Sequence, residues 1–372
     1  MHVAHINFLP PPKELAAADV FAHWPSLADI PEAAASSGIK VSVIQAASRR
    51  ERVARNDVEY HFLDVGQAKP LIDRGYQFAS QLDQIKADVL HVHGLNFGEE
   101  AFAISHYLPR LPVLFQDHAD RPPRWWRRPL WRRWYANAAG MAFTADELAH
   151  PFTSAGVLNA RTKLFAIPES SCRFVLGDCA MARAETGFHG NPCIAWVGHL
   201  NEGKDPLTVL DGIAEASSEL PDLQLWCAFG NAPLLAQVQQ RMAGDPRLAG
   251  RVHLLGKLPH ARVERLMQAA DLFVSGSHAE SCGYALLEAM ACGAFPVVTN
   301  IPSFRALTSE GAMGELWPRG DAAQLAAALV RAAGSRPSRE HVRCYFDDNL
   351  SFAAVGRKWA GAYAHVLGRS AP

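Results

Sequence analysis

Short apolar runs alternate along this chain with longer segments in which apolar residues recur at helical spacing. Apolar runs with few polar positions are typical of strands that a sheet buries on both faces. The predicted strands fall into two series: His2–Phe8, Val41–Ala46, Val89–His93, Val113–Gln116 and Met141–Thr144, then Cys193–Val197, Leu223–Ala228, Val252–Leu254, Leu272–Ser275 and Phe295–Val298. Helical spacing predicts helices at Pro70–Lys86, Asp146–Ser154, Asp205–Ser218, Ala261–Gln268, Gly283–Cys292 and Asp321–Ala333.

Alternating strands and helices predict an α/β protein with two Rossmann-like domains, each built on a parallel sheet with right-handed crossovers. The length of 372 residues suits two domains of similar size. Between the two series, residues 168–191 lack clear periodicity and carry several Gly and Pro, so we expect a linker there and domains at 1–167 and 192–350. Open parallel sheets bind ligands at the carboxyl ends of their strands, and two such sheets are expected to face a central cleft.

Composition and charge narrow the partners that this chain can be expected to bind. Apolar residues make up 49% and charged residues 20%, and the net charge is −1, which gives no bulk attraction to nucleic acid. The seven cysteines are scattered without a Cys-x-x-Cys pair, so neither a disulfide framework nor a zinc site is expected. No apolar run has the length of a membrane span. The apolar residues before Pro10 are too few to form a secretion signal. We therefore expect a cytoplasmic protein.

The segment Ser275–Gly293, SGSHAESCGYALLEAMACG, reads as a strand, a loop and a helix that begins near Gly283. A helix N-terminus offers unpaired amides and a partial positive charge, which suit a phosphate. Glu280 lies in the loop before this helix, and Glu288 lies on its second turn. The alternative interpretation is one glutamate that complements the helix dipole and one solvated helix position.

The segment Trp196–Asp205, WVGHLNEGKD, places a glycine-rich turn with one lysine at the end of a strand. Backbone amides and a lysine can hold a phosphate. Gly198, Gly203 and Lys204 also have the spacing of an ATPase phosphate loop. That motif needs Ser or Thr next, whereas Asp205 and Pro206 follow here, so the ATPase interpretation is disfavoured. A plain polar loop stays the alternative.

Together these segments resemble the donor-binding half of the retaining family-4 glycosyltransferases, members of glycosyltransferase group 1 with the GT-B fold. The resemblance is carried by VGHLNEGKDP and by the Glu-x7-Glu pair in VHLLGKLPHARVERLMQAADLFVSGSHAESCGYALLEAMACGAFPVVT. It is specific over Cys193–Thr308 and mainly topological over Met1–Asn191. It implies an acceptor domain at 1–167, a donor domain at 192–350, and a final helix at 351–372 that packs back on the first domain.

The resemblance also implies roles for individual residues. Glu288 would bind the ribose hydroxyls of the donor nucleotide, and Glu280 would contact the transferred sugar. The pyrophosphate would meet Lys204 and the amides around Gly283, Tyr284 and Ala285. The base would lie against Gly256, Lys257 and Leu258. His118, in LFQDHAD, matches the histidine that the family places beside the sugar.

Two positions depart from the family pattern. His199 stands where the family usually has Arg, and a neutral imidazole donates only one hydrogen bond. Leu9 and Pro10–Pro12 stand where the family usually has a Gly-Gly loop, and proline has no amide to offer a phosphate.

Two further features have competing interpretations. His93, at another strand end, is interpreted as structural. The segment Arg121–Tyr135, RPPRWWRRPLWRRWY, could contact an anionic membrane surface. Since Trp126, Leu130 and Trp134 have helical spacing, we favour an ordinary amphipathic helix.

The expected activity is therefore transfer of a sugar from a nucleoside-diphosphate sugar, with UDP favoured over GDP, to an acceptor that is a lipid, a saccharide or a small molecule. The chain has no Asp-x-Asp motif, so we expect neither a metal ion nor a cofactor. In a retaining front-face reaction the departing phosphate can itself deprotonate the acceptor, and a covalent intermediate is the alternative route to retention. The alternatives are a nucleotide-sugar epimerase or hydrolase of the same fold and a protein that binds the nucleotide sugar without turnover.

Overall fold

The computed structural model describes residues 1–12, 15–66 and 71–370. Pro70, at the start of one predicted helix, and residues 371–372, in the expected final segment, lie outside the described residues. Contacts within the chain divide it into two compact units. The first is Met1–Ser170 together with the segment from Phe352 onward, and the second is Ser171–Ser351.

The first unit is built on a sheet with the strand order β3-β4-β2-β1-β5-β6-β7-β8. All its neighbouring strands run parallel except the β3–β4 hairpin. Asn56 and Asp57 form the hairpin turn at φ angles of 47° and 61°, a conformation that short polar residues tolerate. The strands are β1 (His2–Asn7), β2 (Lys40–Ala47), β3 (Glu51–Arg55), β4 (Val58–Asp64), β5 (Val89–His93), β6 (Val113–Gln116), β7 (Ala138–Phe143) and β8 (Lys163–Ala166).

Helices cover both faces of this sheet, and the last helix of the chain belongs to this unit. They are α1 (Ala17–His23), α2 (Ser26–Ala35), α3 (Leu71–Ile85), α4 (Gly98–Tyr107), α5 (Arg128–Trp134), α6 (His150–Ser154) and α15 (Phe352–Val366). Helix α15 packs on α2 at Gly356, where a Cβ atom would lie 2.0 Å from the Ala33 carbonyl oxygen. Only glycine permits so close a backbone approach.

The second unit carries a wholly parallel sheet with the order β11-β10-β9-β12-β13-β14. This is the strand order of a doubly wound dinucleotide-binding sheet, with its first strand beside the point where the order reverses. The strands are β9 (Cys193–Gly198), β10 (Gln224–Phe229), β11 (Val252–Gly256), β12 (Leu272–Ser275), β13 (Phe295–Thr299) and β14 (Glu315–Trp317). The helices are α7 (Cys179–Thr186), α8 (Pro206–Ala216), α9 (Leu235–Ala243), α10 (His260–Ala269), α11 (Tyr284–Ala291), α12 (Pro302–Leu307), α13 (Ala322–Ser335) and α14 (Arg339–Asn349).

The predicted α/β class with two largely parallel sheets is confirmed. Each predicted strand is present, and four observed strands were not predicted. Strand β3 is mostly exposed and polar, so it lacks the apolar run that marks a buried strand. In the segment expected as a linker, residues 168–191, the structure has α7. Asp178 caps this helix by accepting a hydrogen bond from the Met181 amide at 2.9 Å.

A helix is present within Arg121–Tyr135, but of the three residues at helical spacing only Trp134 is partly buried against the core. Helix α5 is only two turns long, and it buries Trp131 at 5% exposure against Phe152 instead. Trp126 is 53% exposed and Leu130 is 48% exposed. In so short a helix the packing of one large ring decides the buried face, and spacing alone does not reveal which ring that is.

Among the described residues, no helix combines the length and the apolar character that a membrane crossing requires.

Candidate functional site

A pocket of about 380 Å³ opens at the carboxyl ends of the central strands of the second unit. It lies beside β9 and β12, from which the strand order runs in opposite directions. Doubly wound sheets bind their ligands at such a point. We call it the C-terminal pocket. Nine residues singled out from the sequence line it: His199, Lys204, Lys257, Leu258, Glu280, Gly283, Tyr284, Ala285 and Glu288. Gly256 ends β11 directly before this lining.

The start of helix α11 forms one wall of the C-terminal pocket. Gly283 precedes the helix in the left-handed conformation, with φ 71° and ψ 48°. A Cβ atom at this position would lie 2.9 Å from the Phe304 ring, so glycine is required by conformation and by space. The first amides of a helix lack intrahelical partners and carry a partial positive charge. This wall therefore suits a phosphate.

Lys204 and Glu280 form an ion pair inside the C-terminal pocket. The Lys204 ammonium donates to the Glu280 carboxylate, which also accepts a hydrogen bond from the Ser277 hydroxyl at 2.7 Å. The Lys204 amide donates to the Asn201 side chain at 3.0 Å, which fixes the turn that carries the lysine. A phosphate that reaches Lys204 must therefore share this cation with Glu280.

Glu288 is held by a histidine that the sequence did not single out. His260 is the first residue of α10, and its Nε2 lies 3.0 Å from Glu288 Oε1. The Glu288 side chain is mostly buried, whereas His260 is 74% exposed. Burial raises the pKa of Glu288, and the hydrogen bond from His260 opposes that rise. The carboxylate is thus positioned as an acceptor for ligand hydroxyls.

His199 directly follows β9, and one of its ring nitrogens already has a hydrogen-bond partner. The Asn231 amide donates to His199 Nδ1 at 3.1 Å, so Nδ1 must be an acceptor. A neutral ring then carries its proton on Nε2, which leaves one N–H donor. His199 thus offers a phosphate one N–H donor, whereas the arginine usual at this position in the family offers several.

The first unit has its own pocket of about 490 Å³ at the carboxyl ends of β1 and β5. We call it the histidine pocket, after His5, His93 and His118 in its lining, which also includes Trp24, Phe97 and Asp120. His118 Nδ1 lies 2.9 Å from a Glu169 carboxylate oxygen, and its Nε2 lies 3.3 Å from His93 Nδ1. His93, interpreted from the sequence as structural, thus lies beside His118. Leu9 of the proline-rich loop lines the same pocket.

Ring nitrogens of His5, His91 and His93 lie within 4.8 Å of one another. A histidine holds a metal ion in the plane of its ring. However, the His91 and His93 rings are stacked, with centroids 4.5 Å apart and 12° between their planes. Because the two planes are nearly parallel, one metal ion cannot lie in both of them within bonding distance of both rings. His5 Nδ1 and His93 Nε2 also bond to each other at 3.0 Å. This arrangement suits hydrogen bonding among the rings rather than a metal ion.

Comparisons with known proteins agree with this geometry. The family described as "Glycosyl transferases group 1" matches residues 191–334, which include the C-terminal pocket. A GDP-mannose:cellobiosyl-diphosphopolyprenol alpha-mannosyltransferase from Xanthomonas oryzae is 25% identical over 324 residues, covering 82% of this chain and 80% of that protein. A D-inositol 3-phosphate glycosyltransferase from Mycobacteroides abscessus is 30% identical over 182 residues, covering 43% of this chain and 40% of that protein.

This chain is thus similar to the group 1 glycosyltransferases over residues 191–334. Its fold matches solved GT-B structures over nearly the whole length. A sucrose-phosphate synthase from Thermosynechococcus elongatus superposes with a TM-score of 0.65 at 17% identity, covering 99% of this chain and all of that one. Anabaena HepE in complex with UDP and glucose superposes with a TM-score of 0.63 at 16% identity, covering 98% and 100%. The predictions of a GT-B glycosyltransferase and of transferase activity are confirmed.

The sequence did not reveal the residues that position the predicted ligand-binding side chains of this glycosyltransferase. These residues are Glu169 beside His118, Asn231 beside His199, His260 beside Glu288 and Ser277 beside Glu280. Ser277 lies in the same short loop as its partner, so the local sequence contained a signal. The other three partners are separated from their targets by 28 or more positions, and no spacing rule connects them.

Proposed function

We propose that this glycosyltransferase moves a hexosyl group from a GDP-sugar, with GDP-mannose as the first candidate, to an acceptor hydroxyl with retention of the anomeric configuration. The observation that carries the proposal is the C-terminal pocket, in which Lys204, the start of α11 and Glu288 line one surface. The sequence resemblance favoured UDP. We now put GDP first, because the Xanthomonas relative that matches most of the chain is named for GDP-mannose.

We assign the nucleotide to the second unit and the acceptor to the first. Glu288 binds the ribose hydroxyls, because its carboxylate is held beside the pocket by His260. The pyrophosphate lies against Lys204 and the Gly283–Ala285 amides, which supply the positive potential. Glu280 contacts the transferred sugar, and His118 is kept as a second residue that contacts this sugar.

The reaction breaks the bond between the anomeric carbon and the phosphate oxygen, which leaves a nucleoside diphosphate with an additional negative charge. Lys204 and the start of α11 stabilise that charge as it forms, because both are in place before the reaction begins. The departing phosphate takes the proton of the acceptor hydroxyl, whose oxygen then bonds to the anomeric carbon on the same face. With the charge held in this way, we propose that no divalent metal is required.

The test is transfer from GDP-mannose, UDP-glucose and ADP-glucose to the cellobiosyl-diphosphopolyprenol acceptor named for the Xanthomonas relative, with NMR of the product anomer. We expect the fastest transfer from GDP-mannose, an α-linked product, and full activity in EDTA. An inverted product, or activity lost in EDTA and restored by magnesium, would refute the mechanism. Donor turnover without any acceptor would indicate an epimerase or hydrolase, and tight donor binding without turnover would indicate a binding protein.

We also propose that the exposed face of Arg121–Tyr135 contacts an anionic membrane surface. Trp125 is 73% exposed, and it stands beside the exposed Trp126 and Leu130. The Arg124 guanidinium lies 5.3 Å from the centroid of the Trp126 ring. Exposed indole rings among arginines suit the interface of an anionic bilayer, where each basic residue contributes about 1 kcal/mol. A lipid-linked acceptor would be reached from such a surface.

Sedimentation with vesicles tests this surface. We expect binding to vesicles rich in phosphatidylglycerol that falls with added salt, little binding to phosphatidylcholine, and at least about fivefold weaker binding of Trp125→Ala/Trp126→Ala. Tyr76→Ala, which removes another exposed aromatic residue of the same unit, is the matched control. Equal vesicle binding by the double variant and the parent would refute the proposal.

A further inference from the structure

The histidine pocket combines an apolar wall with a polar floor. Trp24 and Phe97 contribute aromatic surface and Leu27 adds aliphatic surface, while His5 and His93 line the pocket from the ends of β1 and β5. A volume of about 490 Å³ falls within the range that proteins use for small-molecule sites. The chemistry of the floor therefore decides which ligand fits.

The rings of the floor form a hydrogen-bonded chain that begins at a carboxylate. Glu169 accepts from His118, so His118 Nδ1 carries the proton and Nε2 is left to accept. His93 Nδ1 then donates to His118 Nε2 at 3.3 Å, and His93 Nε2 in turn accepts from His5 Nδ1 at 3.0 Å. One carboxylate thus sets the position of the proton on each successive ring.

The chain continues into the core with the same polarity. The Tyr363 hydroxyl donates to His5 Nε2 at 3.2 Å and accepts from His91 Nδ1 at 2.7 Å. His91 Nε2 is left as a buried lone pair without a hydrogen-bond partner in the described part of the chain. With every ring neutral, each remaining donor and acceptor of the chain is used once. An added proton would have to go to the buried His91 Nε2, where it would be without water.

Burial keeps His5, His91 and His93 neutral. It lowers the pKa of His5 to about 3 and those of His91 and His93 well below the usual value, since a charged ring would lose its hydration. Beside these rings, the Asp120 carboxylate accepts from the Leu95 amide at 2.6 Å and lines the pocket. Neutral rings next to a carboxylate present no attraction to an anion.

We propose that the histidine pocket binds a neutral, hydroxyl-rich ring, a sugar or a polyol without a phosphate on the bound ring, and that this ring carries the acceptor hydroxyl. The inference rests on the proposed transferase function and names the acceptor class that its first unit selects. Sugar hydroxyls donate to carboxylates such as Asp120 and bond to polar side chains such as Asn7, Ser26 and Asn96, and the C–H faces of a sugar ring pack on Trp24 and Phe97. A phosphorylated ring would bring its charge next to Asp120.

The test is NMR on the full-length protein labelled in its histidine and tryptophan rings. The probes are glucose, mannose, myo-inositol and cellobiose, compared with glucose 6-phosphate, mannose 6-phosphate and inorganic phosphate. We expect neutral sugars to shift the signals of Trp24, His93 and His118. We expect the better monosaccharide to bind at least about tenfold more tightly than its phosphate. Stronger shifts with any of the phosphates, or no shift with any neutral sugar, would overturn the proposal.

Variants assign the response to this pocket. Trp24→Ala and, should that variant fold poorly, Phe97→Ala are expected to weaken sugar binding at least about fivefold, whereas Tyr76→Ala is not. Unchanged sugar binding by a folded Trp24→Ala or Phe97→Ala variant would contradict the proposal. A GDP titration of the same sample reports on the C-terminal pocket. If GDP failed to bind while the sugars did, the proposed donor site would be wrong and the sugar site would stand.

Discussion

The two pockets occupy equivalent places in two sheets of the same kind, yet they are built from opposite electrostatics. Each lies at the carboxyl end of the first strand of its sheet, next to the strand across which the order reverses. The C-terminal pocket holds two lysines, a helix start and two carboxylates. The histidine pocket holds the neutral rings of His5 and His93, the His118 ring and one carboxylate. The sheet topology thus determines where the two pockets lie, and the side chains at the strand ends set the charge that each pocket suits.

Glu280→Ala should have the largest effect, because this carboxylate is expected to act on the transferred sugar. We predict that turnover falls by at least about a hundredfold while the affinity for free GDP does not fall, because Lys204 then serves the phosphate alone. Kinetics with GDP-mannose and calorimetry with GDP measure the two quantities separately. If GDP affinity fell as steeply as turnover, Glu280 would belong to the nucleotide site instead.

Lys204→Ala should cost about tenfold or more in turnover, the loss expected when one charge-assisted hydrogen bond to a phosphate disappears. It also leaves Glu280 without its ion-pair partner. Lys86→Ala, which removes an exposed lysine of the first unit, is the matched control and should lose much less. Equal losses in the two variants would show that Lys204 has no special contact with the phosphates.

Acid should destabilise the histidine pocket before the C-terminal pocket. His5 has a lowered pKa when folded, so the unfolded chain binds more protons as the pH falls below about 6.5, and folding stability falls with it. The expected slope is about 1.4 kcal/mol per pH unit for this residue. Hydrogen exchange between pH 7 and 5 measures it. His5→Gln should reduce the slope in the first unit, whereas the exposed His106→Gln should not; equal slopes would contradict the assignment.

His260→Ala should have the smallest effect, a few-fold weakening of GDP binding that grows in acid. His260 opposes the raised pKa of Glu288, so its loss should raise that pKa further. Glu288 would then lose its charge at a higher pH. The pH below which the affinity for GDP falls should therefore be higher in the variant than in the parent. GDP titrations of His260→Ala and of the control variant His106→Ala between pH 5 and 8 test this. The ionisation of GDP itself affects both variants equally, so it cancels in the comparison. Superimposable curves would show that His260 does not act through Glu288.

Much of the fold and of the C-terminal pocket could be predicted from sequence because the decisive signals are local. Strands such as Leu272–Ser275 are continuous apolar runs, and the residues from Ser275 to Glu288 lie on one strand, loop and helix. The chain of rings in the first unit could not be predicted, since it joins His5, His91 and Tyr363 over 272 and 358 positions. Trp131 was missed in α5 because a single packed ring, rather than periodicity, determines its buried face.

The central claim is that the C-terminal pocket binds the nucleotide, with Glu288 on its ribose. Calorimetry of free GDP with the parent, Glu288→Ala and His118→Ala tests it most directly. We predict that Glu288→Ala weakens binding by about 1–3 kcal/mol, the cost of a buried hydroxyl left without its acceptor. His118→Ala, in the other pocket, should bind GDP like the parent. Parent-like GDP affinity in Glu288→Ala, or a comparable loss in His118→Ala, would contradict the assignment.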